Sequence, residues 1–312
     1  MQTNGEDKML IAGQVLSNRY RIIKTLGSGG AGVVYLAFDD HLQKYFAVKE
    51  LSQDSYSDTL NQAVGKLVAE ANIMNRLNHP LLPRIIDVLE IRGVIFVVMD
   101  YIEGEGLDKV LKRYGVVPEA YVVHWFKQLC DALFYLHGSN PPIIHRDLKP
   151  SNIILTKDGS VRLIDFGAAR EQKQRRRNAG DTNSFGTWGY AAPEQFDSSR
   201  QTDGRTDIYS LGVTMHALLT GQDPCDGANA LLPIRQYNSS LSPELESIIE
   251  KCTRFSPAER YQNCSELLYA LDRLDSVSAS RGKSSVSVAA IVSIAISAVA
   301  LIGTLIAVLL SG

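Results

Sequence analysis

Ile143-Ile144-His145-Arg146-Asp147-Leu148-Lys149-Pro150-Ser151-Asn152-Ile153-Ile154-Leu155 sets apolar runs on both sides of a polar centre of His, Arg, Asp, Lys and Asn. Packing is a poor explanation for such a centre, because buried charges are costly unless paired. Chemistry is a better one. A carboxylate at Asp147 can orient a hydroxyl nucleophile and take its proton. Lys149 can neutralise a phosphoryl group in transfer. Asn152 offers a hard amide oxygen to Mg2+.

Downstream, Val161-Arg162-Leu163-Ile164-Asp165-Phe166-Gly167 puts a second carboxylate, Asp165, at the end of a strand, where it suits a second metal ligand. Ala191-Ala192-Pro193-Glu194 and Asp207-Ile208-Tyr209-Ser210-Leu211-Gly212 follow. Upstream lies Gly27-Ser28-Gly29-Gly30-Ala31-Gly32-Val33-Val34. Its glycines permit positive φ and let backbone N–H groups approach phosphate oxygens. A tight glycine hairpin or a dinucleotide-binding turn fits these residues too, although the latter needs a helix next, and Val33 to Ala37 reads as a strand. Phe46-Ala47-Val48-Lys49 ends an apolar strand in a lysine that can hold the α- and β-phosphates of a nucleotide. A buried ammonium needs a counter-charge. Glu70 is the first candidate; Glu50 is the alternative, but it adjoins Lys49 and points to the opposite strand face.

Around these segments the pattern divides the chain. Tyr20–Ile23, Val33–Ala37, Tyr45–Val48 and Val94–Met99 read as strands. Val64, Leu67, Val68, Ala71, Met74 and Leu77 repeat at three and four, which predicts an amphipathic helix. After a flexible crossing at Gly104 and Gly106 the pattern turns helical: from Pro118 to about His137, Tyr209 to Leu219, Leu245 to Cys252, and Glu266 to Leu274. The expectation is an α+β, two-lobed domain over residues 15–274, with a strand-rich lobe at 15–100 and a helical lobe at 104–274. Residues 1–14 read as a tail and 275–285, rich in Ser, Gly and basic residues, as a linker.

The glycine loop, strand lysine, His-Arg-Asp segment, Asp-Phe-Gly and Ala-Pro-Glu, in that order, resemble the eukaryotic-type protein kinases over roughly residues 17–274. The resemblance implies that ATP lies against Leu26, Gly27, Ser28, Gly29, Gly30, Gly32, Val34, Ala47 and Ile154. Met99 would guard the back of the adenine pocket, and Asp100 to Ile102 would form the hinge. Lys49, paired with Glu70, would touch the phosphates. Asp147 would be the base, assisted by Lys149, and Asn152 and Asp165 would hold Mg2+, with Mn2+ able to substitute. Lys149 and Gly186-Thr187 resemble the Ser/Thr-directed form, so the expected partners are Ser and Thr residues of proteins. Met74, Ile85, His145 and Phe166 would form an apolar column, Asp207 would anchor the His145 backbone, and Arg260 would pair with Glu194. A phosphate on Thr182 or Ser184 would meet Arg146; Thr187, also in this regulatory segment, is expected nearer Asp147 and Lys149. A scaffold with this fold and no catalysis, or a small-molecule phosphotransferase, are the alternatives; the full motif set and the Ala-Pro-Glu segment argue against each.

The rest of the composition bounds partners and place. Lys and Arg number 32 against 34 Asp and Glu in 312 residues, a net charge of −2, which gives no electrostatic case for nucleic acid. Four cysteines, without paired spacing, fit a reducing compartment. Met1–Gln14 has no basic start followed by an apolar core, so no signal peptide is read there. Val286–Leu310 carries no charge and no proline. As a helix it would be roughly 37 Å long, enough to span a membrane. Arg273, Arg281 and Lys283 precede it, which predicts a cytoplasmic kinase domain with the C-terminus outside. Ala289, Ser293 and Ser297, at steps of four, suggest a homodimer contact.

Overall fold

The computed structural model describes residues 10–29, 32–51, 73, 76–166, 169–171, 186–197, 199–225 and 231–281. Alternation at every second residue builds the first lobe. Strands β1 (Val15–Leu16), β2 (Tyr20–Gly29), β3 (Gly32–Asp39), β4 (Lys44–Leu51), β5 (Ile85–Ile91) and β6 (Val94–Asp100) form one antiparallel sheet in the order β1-β2-β3-β4-β6-β5. Tyr35 and Ala37 on β3, Phe46 and Val48 on β4, and Phe96 and Val98 on β6 close a small core with Tyr20 and Ile22. The alternate residues face the other way. Register sets Val34 opposite Lys49, Lys49 opposite Val97, and Ala47 opposite Met99 on that second face. Glu50 falls on the core face, where its carboxylate accepts the Tyr35 hydroxyl at 2.7 Å.

The second lobe contains α1 (Leu107–Tyr114), α2 (Glu119–His137), α3 (Gly204–Thr220), the short α4 (Ile234–Tyr237), α5 (Pro243–Cys252) and α6 (Cys264–Arg281). In α2 the predicted stripe Val122, Val123, Phe126, Leu129, Leu133 and Leu136 is buried. Each such side chain contributes about 1.5–3 kcal/mol relative to exposure. Nearly every residue from Thr206 to Thr220 on α3 is buried, so this helix is the axis of the lobe. Its start is fixed by the Asp203 carboxylate, which accepts the Arg205 N–H at 2.9 Å, and its end by Gly221 at φ 72°. The short strands β7 (Gly104–Gly106), β8 (Ile143–Ile144), β9 (Ile153–Thr156), β10 (Val161–Leu163) and β11 (Arg170–Glu171) frame the catalytic loop: β9 lies between β10 and β7, and β8 pairs with β11.

Two expectations change. Gly104 to Gly106 is not a flexible crossing but a strand against β9. A Cβ at Gly104 would collide with the Leu155 carbonyl, so glycine here permits close strand approach. The linker expected from residue 275 begins as helix instead, because α6 continues to Arg281. Extending an established helix costs little compared with nucleating one, so serines and alanines do not stop it. Most of the amphipathic helix expected near 64–77 and the apolar stretch 286–310 lie outside the described residues. Among the described residues no helix is long and apolar enough to cross a membrane.

Candidate active site

The second face of the strand lobe and the loops between β8 and β10 meet at the site. Lys49 on β4 is 5% exposed, and its Nζ donates to Asp165 Oδ1 at 2.9 Å. Asp165 follows β10 and takes φ 63°. Asp147 lies between β8 and β9. Its Oδ1 accepts the Thr187 hydroxyl at 2.7 Å and the Thr187 N–H at 3.1 Å. Its Oδ2 accepts Asn152 Nδ2 at 2.9 Å and sits 2.9 Å from Lys149 Nζ. Lys149 Nζ also donates to Thr187 Oγ1 at 2.6 Å. One carboxylate thus collects two N–H groups, one hydroxyl and one ammonium.

A buried clamp holds this loop in shape. Asp207 of α3, fully buried, accepts the His145 N–H at 2.9 Å and the Arg146 N–H at 2.8 Å. Arg146 sits at φ 69°, and such left-handed backbone costs roughly 1–2 kcal/mol outside glycine. Gln195 adds a bond from its Nε2 to the Arg146 carbonyl at 2.9 Å. Gly186, at φ 125°, passes so close that a Cβ would lie 2.7 Å from Ala191 Cβ and Gln195 Nε2. His137, at the end of α2, completes the clamp through Nε2 to Asp207 Oδ2 at 2.8 Å, with Cys264 Sγ 3.6 Å from its Nδ1. Burial pulls the His137 pKa down, but the bonds to Asp207 and Cys264 outweigh it and raise it to about 10. Burial would raise Asp207, yet His137 and the backbone donors hold it below the usual carboxylate range. Neither His137 nor Gln195 is singled out by a sequence motif. The spacing that signals His137 is its place at the end of an apolar helix just before the catalytic segment.

Other predicted residues fall as follows. Gly27, Ser28 and Gly29 pair with Val34, Val33 and Gly32, so the glycine segment is a hairpin entering a strand, which removes the dinucleotide-turn reading. Ala47 and Met99 lie on the Lys49 face, and Ile154 sits opposite Arg162 on β9. Asp100, the last residue of β6, gives its N–H to the Arg84 carbonyl at 3.0 Å, and Ile102 follows two residues on. His145 and Phe166 meet edge to face at 5.1 Å, and Ile85 borders the core that contains Phe166. Glu194 and Arg260 form a bidentate pair at 2.7 and 2.9 Å, both buried. Glu70, Gly30, Met74, Thr182 and Ser184 lie outside the described residues.

Asn152 and Asp165 suit Mg2+ by donor type: both offer hard oxygens. Asn152 spends its amide nitrogen on the Asp147 side chain and on its carbonyl, the latter at 2.8 Å. That leaves the amide oxygen as its metal-binding end. An ion bound there would offset charge on nucleotide phosphates.

A strand-rich lobe that presents a lysine meets a helical lobe that presents a clamped Asp-Lys-Asn loop, and this two-lobed arrangement marks a class of proteins by its fold. The chain belongs to the protein kinase domain family, whose model matches residues 20–270. Similar proteins include a probable serine/threonine-protein kinase of Clostridium acetobutylicum, 33% identical over 84% of this chain and 41% of that one. The serine/threonine-protein kinase PknA of a Nostoc species is 35% identical over 83% of this chain and 48% of its own length. The chain therefore spans less than half the length of these relatives. Among solved structures, the PknI kinase domain of Mycobacterium tuberculosis superposes with a TM-score of 0.67 at 26% identity, covering 85% of this chain and 99% of that domain.

Proposed function

We propose that the protein transfers the γ-phosphate of ATP to Ser and Thr hydroxyls of protein substrates, with Mg2+ held by Asn152 and Asp165. The observation that carries this reading is the Asp147 carboxylate, bonded at once to Thr187 and Lys149. A substrate hydroxyl replacing the Thr187 contact would meet an oriented base. Lys149 beside it would offset charge on the moving phosphoryl group, and Lys49 would hold the phosphates from the strand side. Autophosphorylation of Thr182 or Ser184 and docking of the phosphate on Arg146 belong to the same reading, supported by their sequence positions. So does a tether through residues 286–310, with the kinase domain at 15–274 cytoplasmic and a dimer contact in the apolar stretch; the uncharged composition of that stretch supports it.

The test is transfer of γ-labelled phosphate from ATP to a general acceptor protein, followed by acid hydrolysis. Wild type should yield phosphoserine and phosphothreonine, and Asp147→Asn should lose at least about 100-fold in rate. Equal transfer by the variant, or none by wild type, would remove the proposal. Membrane fractionation with and without residues 282–312 addresses the tether; equal partition of the two forms would remove it.

A further inference from the structure

The helical lobe has a cleft that the proposed chemistry does not use. It lies between α5 and α6 and encloses about 570 Å³. Ile248, Tyr261 and Leu274, all buried, give it an apolar floor. Tyr269 stands on its rim with 66% of its surface exposed. A large ring left in water beside an apolar cleft marks a contact surface.

Charge along the two walls follows one rule. On the cleft, α5 carries Glu244 and Lys251, and α6 carries Glu266 and Arg273. In each helix the acid comes first and the base seven residues later. Seven residues make almost two full turns, so both charges share one face, about 10.5 Å apart. Midway between them lie Ser247 and Ile248 on α5, and Tyr269 and Ala270 on α6. The helix macrodipole accounts for acids in the first turn of α5 and a lysine in its last. It does not account for Arg273, which stands in the middle of α6. Glu266 accepts the Gln262 N–H at 2.9 Å, which fixes its carboxylate at the start of the helix.

That order decides the occupant. Two acids and two bases cancel, so the cleft selects neither an anion nor a cation. A face with an acid at one end and a base at the other is complementary to its own copy turned end for end. Against a second α6 running the opposite way, Glu266 meets Arg273 of the other copy, and Arg273 meets its Glu266. On α5 the same rotation brings Glu244 to Lys251. The Lys251 ammonium lies 4.1 Å from the Tyr261 ring, so the end of α5 sits beside the segment that enters α6. The two helices therefore run in opposite senses, and one two-fold axis across their mid-faces satisfies both sets of pairs. Closed dimers use such self-complementary faces.

We propose that the α5–α6 face is a homodimer contact in which Tyr269 of each copy enters the cleft of the other, framed by Glu266–Arg273 and Glu244–Lys251 pairs between copies. An aromatic ring brings about 150–250 Å² to such a contact, and tyrosine is a frequent anchor at interface centres. None of these residues belongs to the phosphotransfer site. The contact is thus independent of that reading and of the one proposed in residues 286–310.

Sedimentation equilibrium of the full chain in detergent micelles reads the dissociation constant. Wild type should dimerise at or below about 100 µM. Tyr269→Ala should weaken the dimer by about 10-fold or more. Arg273→Glu and Glu266→Arg each set like charges against one another at both ends of the α6 pair, and each should weaken it by about 10-fold or more. Mixed in equal amounts, these two variants present opposite charges at both ends and should pair within about 3-fold of wild type. General damage to folding cannot produce that rescue. A cross-link gives a second reading with a small change of side chain. In a Cys225→Ser background, Ala270→Cys lies next to the axis and should form a disulfide-linked dimer on mild oxidation, whereas Lys157→Cys, on the exposed turn after β9, should not. A monomer at about 100 µM, a dimer indifferent to Tyr269→Ala, no rescue on mixing, or no cross-link at position 270 would each overturn the proposal.

Discussion

Replacing Asp207 by Asn tests the clamp beneath the catalytic loop with almost no change of volume. The carboxylate accepts from three donors: His145 N–H and His137 Nε2 on Oδ2, and Arg146 N–H on Oδ1. An amide has one accepting oxygen. Whichever way it turns, its NH2 group faces at least one buried donor, a penalty of about 1–3 kcal/mol. His137 also loses its counter-charge, and breaking a buried pair costs about 3–5 kcal/mol. His137 can shed its proton in response, which limits the total, so we expect a loss of about 3 kcal/mol. With a urea m-value of about 1–3 kcal/mol/M, the unfolding midpoint should fall by at least about 1 M. In a cycle with His137→Gln, the double variant should cost less than the sum of the singles, by more than about 0.5 kcal/mol. The pH dependence has a definite sign. The folded His137 pKa, raised from 6.5 to about 10, makes its contribution complete below pH 6.5 and fading as pH rises through 10. Asp207 is lowered, so its contribution is present above the ordinary carboxylate range and fades in acid. The gap between wild type and variant should therefore be widest between those limits. A midpoint shift under about 0.3 M, or an additive cycle, would refute the reasoning.

Three further outcomes are expected. Arg260→Met strands the buried Glu194 carboxylate and should cost about 3–5 kcal/mol, read by thermal unfolding. Thr187→Val removes the hydroxyl shared by Asp147 and Lys149 and should lower kcat about 10- to 100-fold, whereas Thr187→Ser should stay close to wild type in steady-state assays. Gly186→Ala forces a Cβ against Ala191 and Gln195 at a φ that suits glycine, and should cost about 1–3 kcal/mol by circular-dichroism melting.

Much of this could be read from residues whose chemistry admits few explanations. The polar centre at 145–152 had no packing rationale, and the structure gathers Lys149 and Asn152 around the Asp147 carboxylate. Alternation along one strand set Glu50 on the face opposite Lys49, and the structure places the Glu50 carboxylate against Tyr35 on the core face. What stayed hidden depends on contacts across long separations. His137 meets Asp207 across 70 positions, and Gln195 meets Arg146 across 49. Local pattern carries no record of such pairs. The reach of α6 past 274 was obscured for a different reason. Serine and glycine-rich composition suggests a linker, while helix propagation from a packed segment depends on what precedes it.

The Lys49 to Asp165 bond joins two residues 116 positions apart, one from each lobe. Each group stands where the other's prospective ligand belongs: an ammonium where a cation would settle, a carboxylate where a phosphate would arrive. Across the cleft these two charges offset one another. A metal-bound nucleotide entering the cleft would exchange these ionic partners, phosphate for Asp165 at Lys49 and cation for Lys49 at Asp165. Affinity for that ligand becomes a difference between two sets of ion pairs, and the resting attraction between the lobes is one term in it.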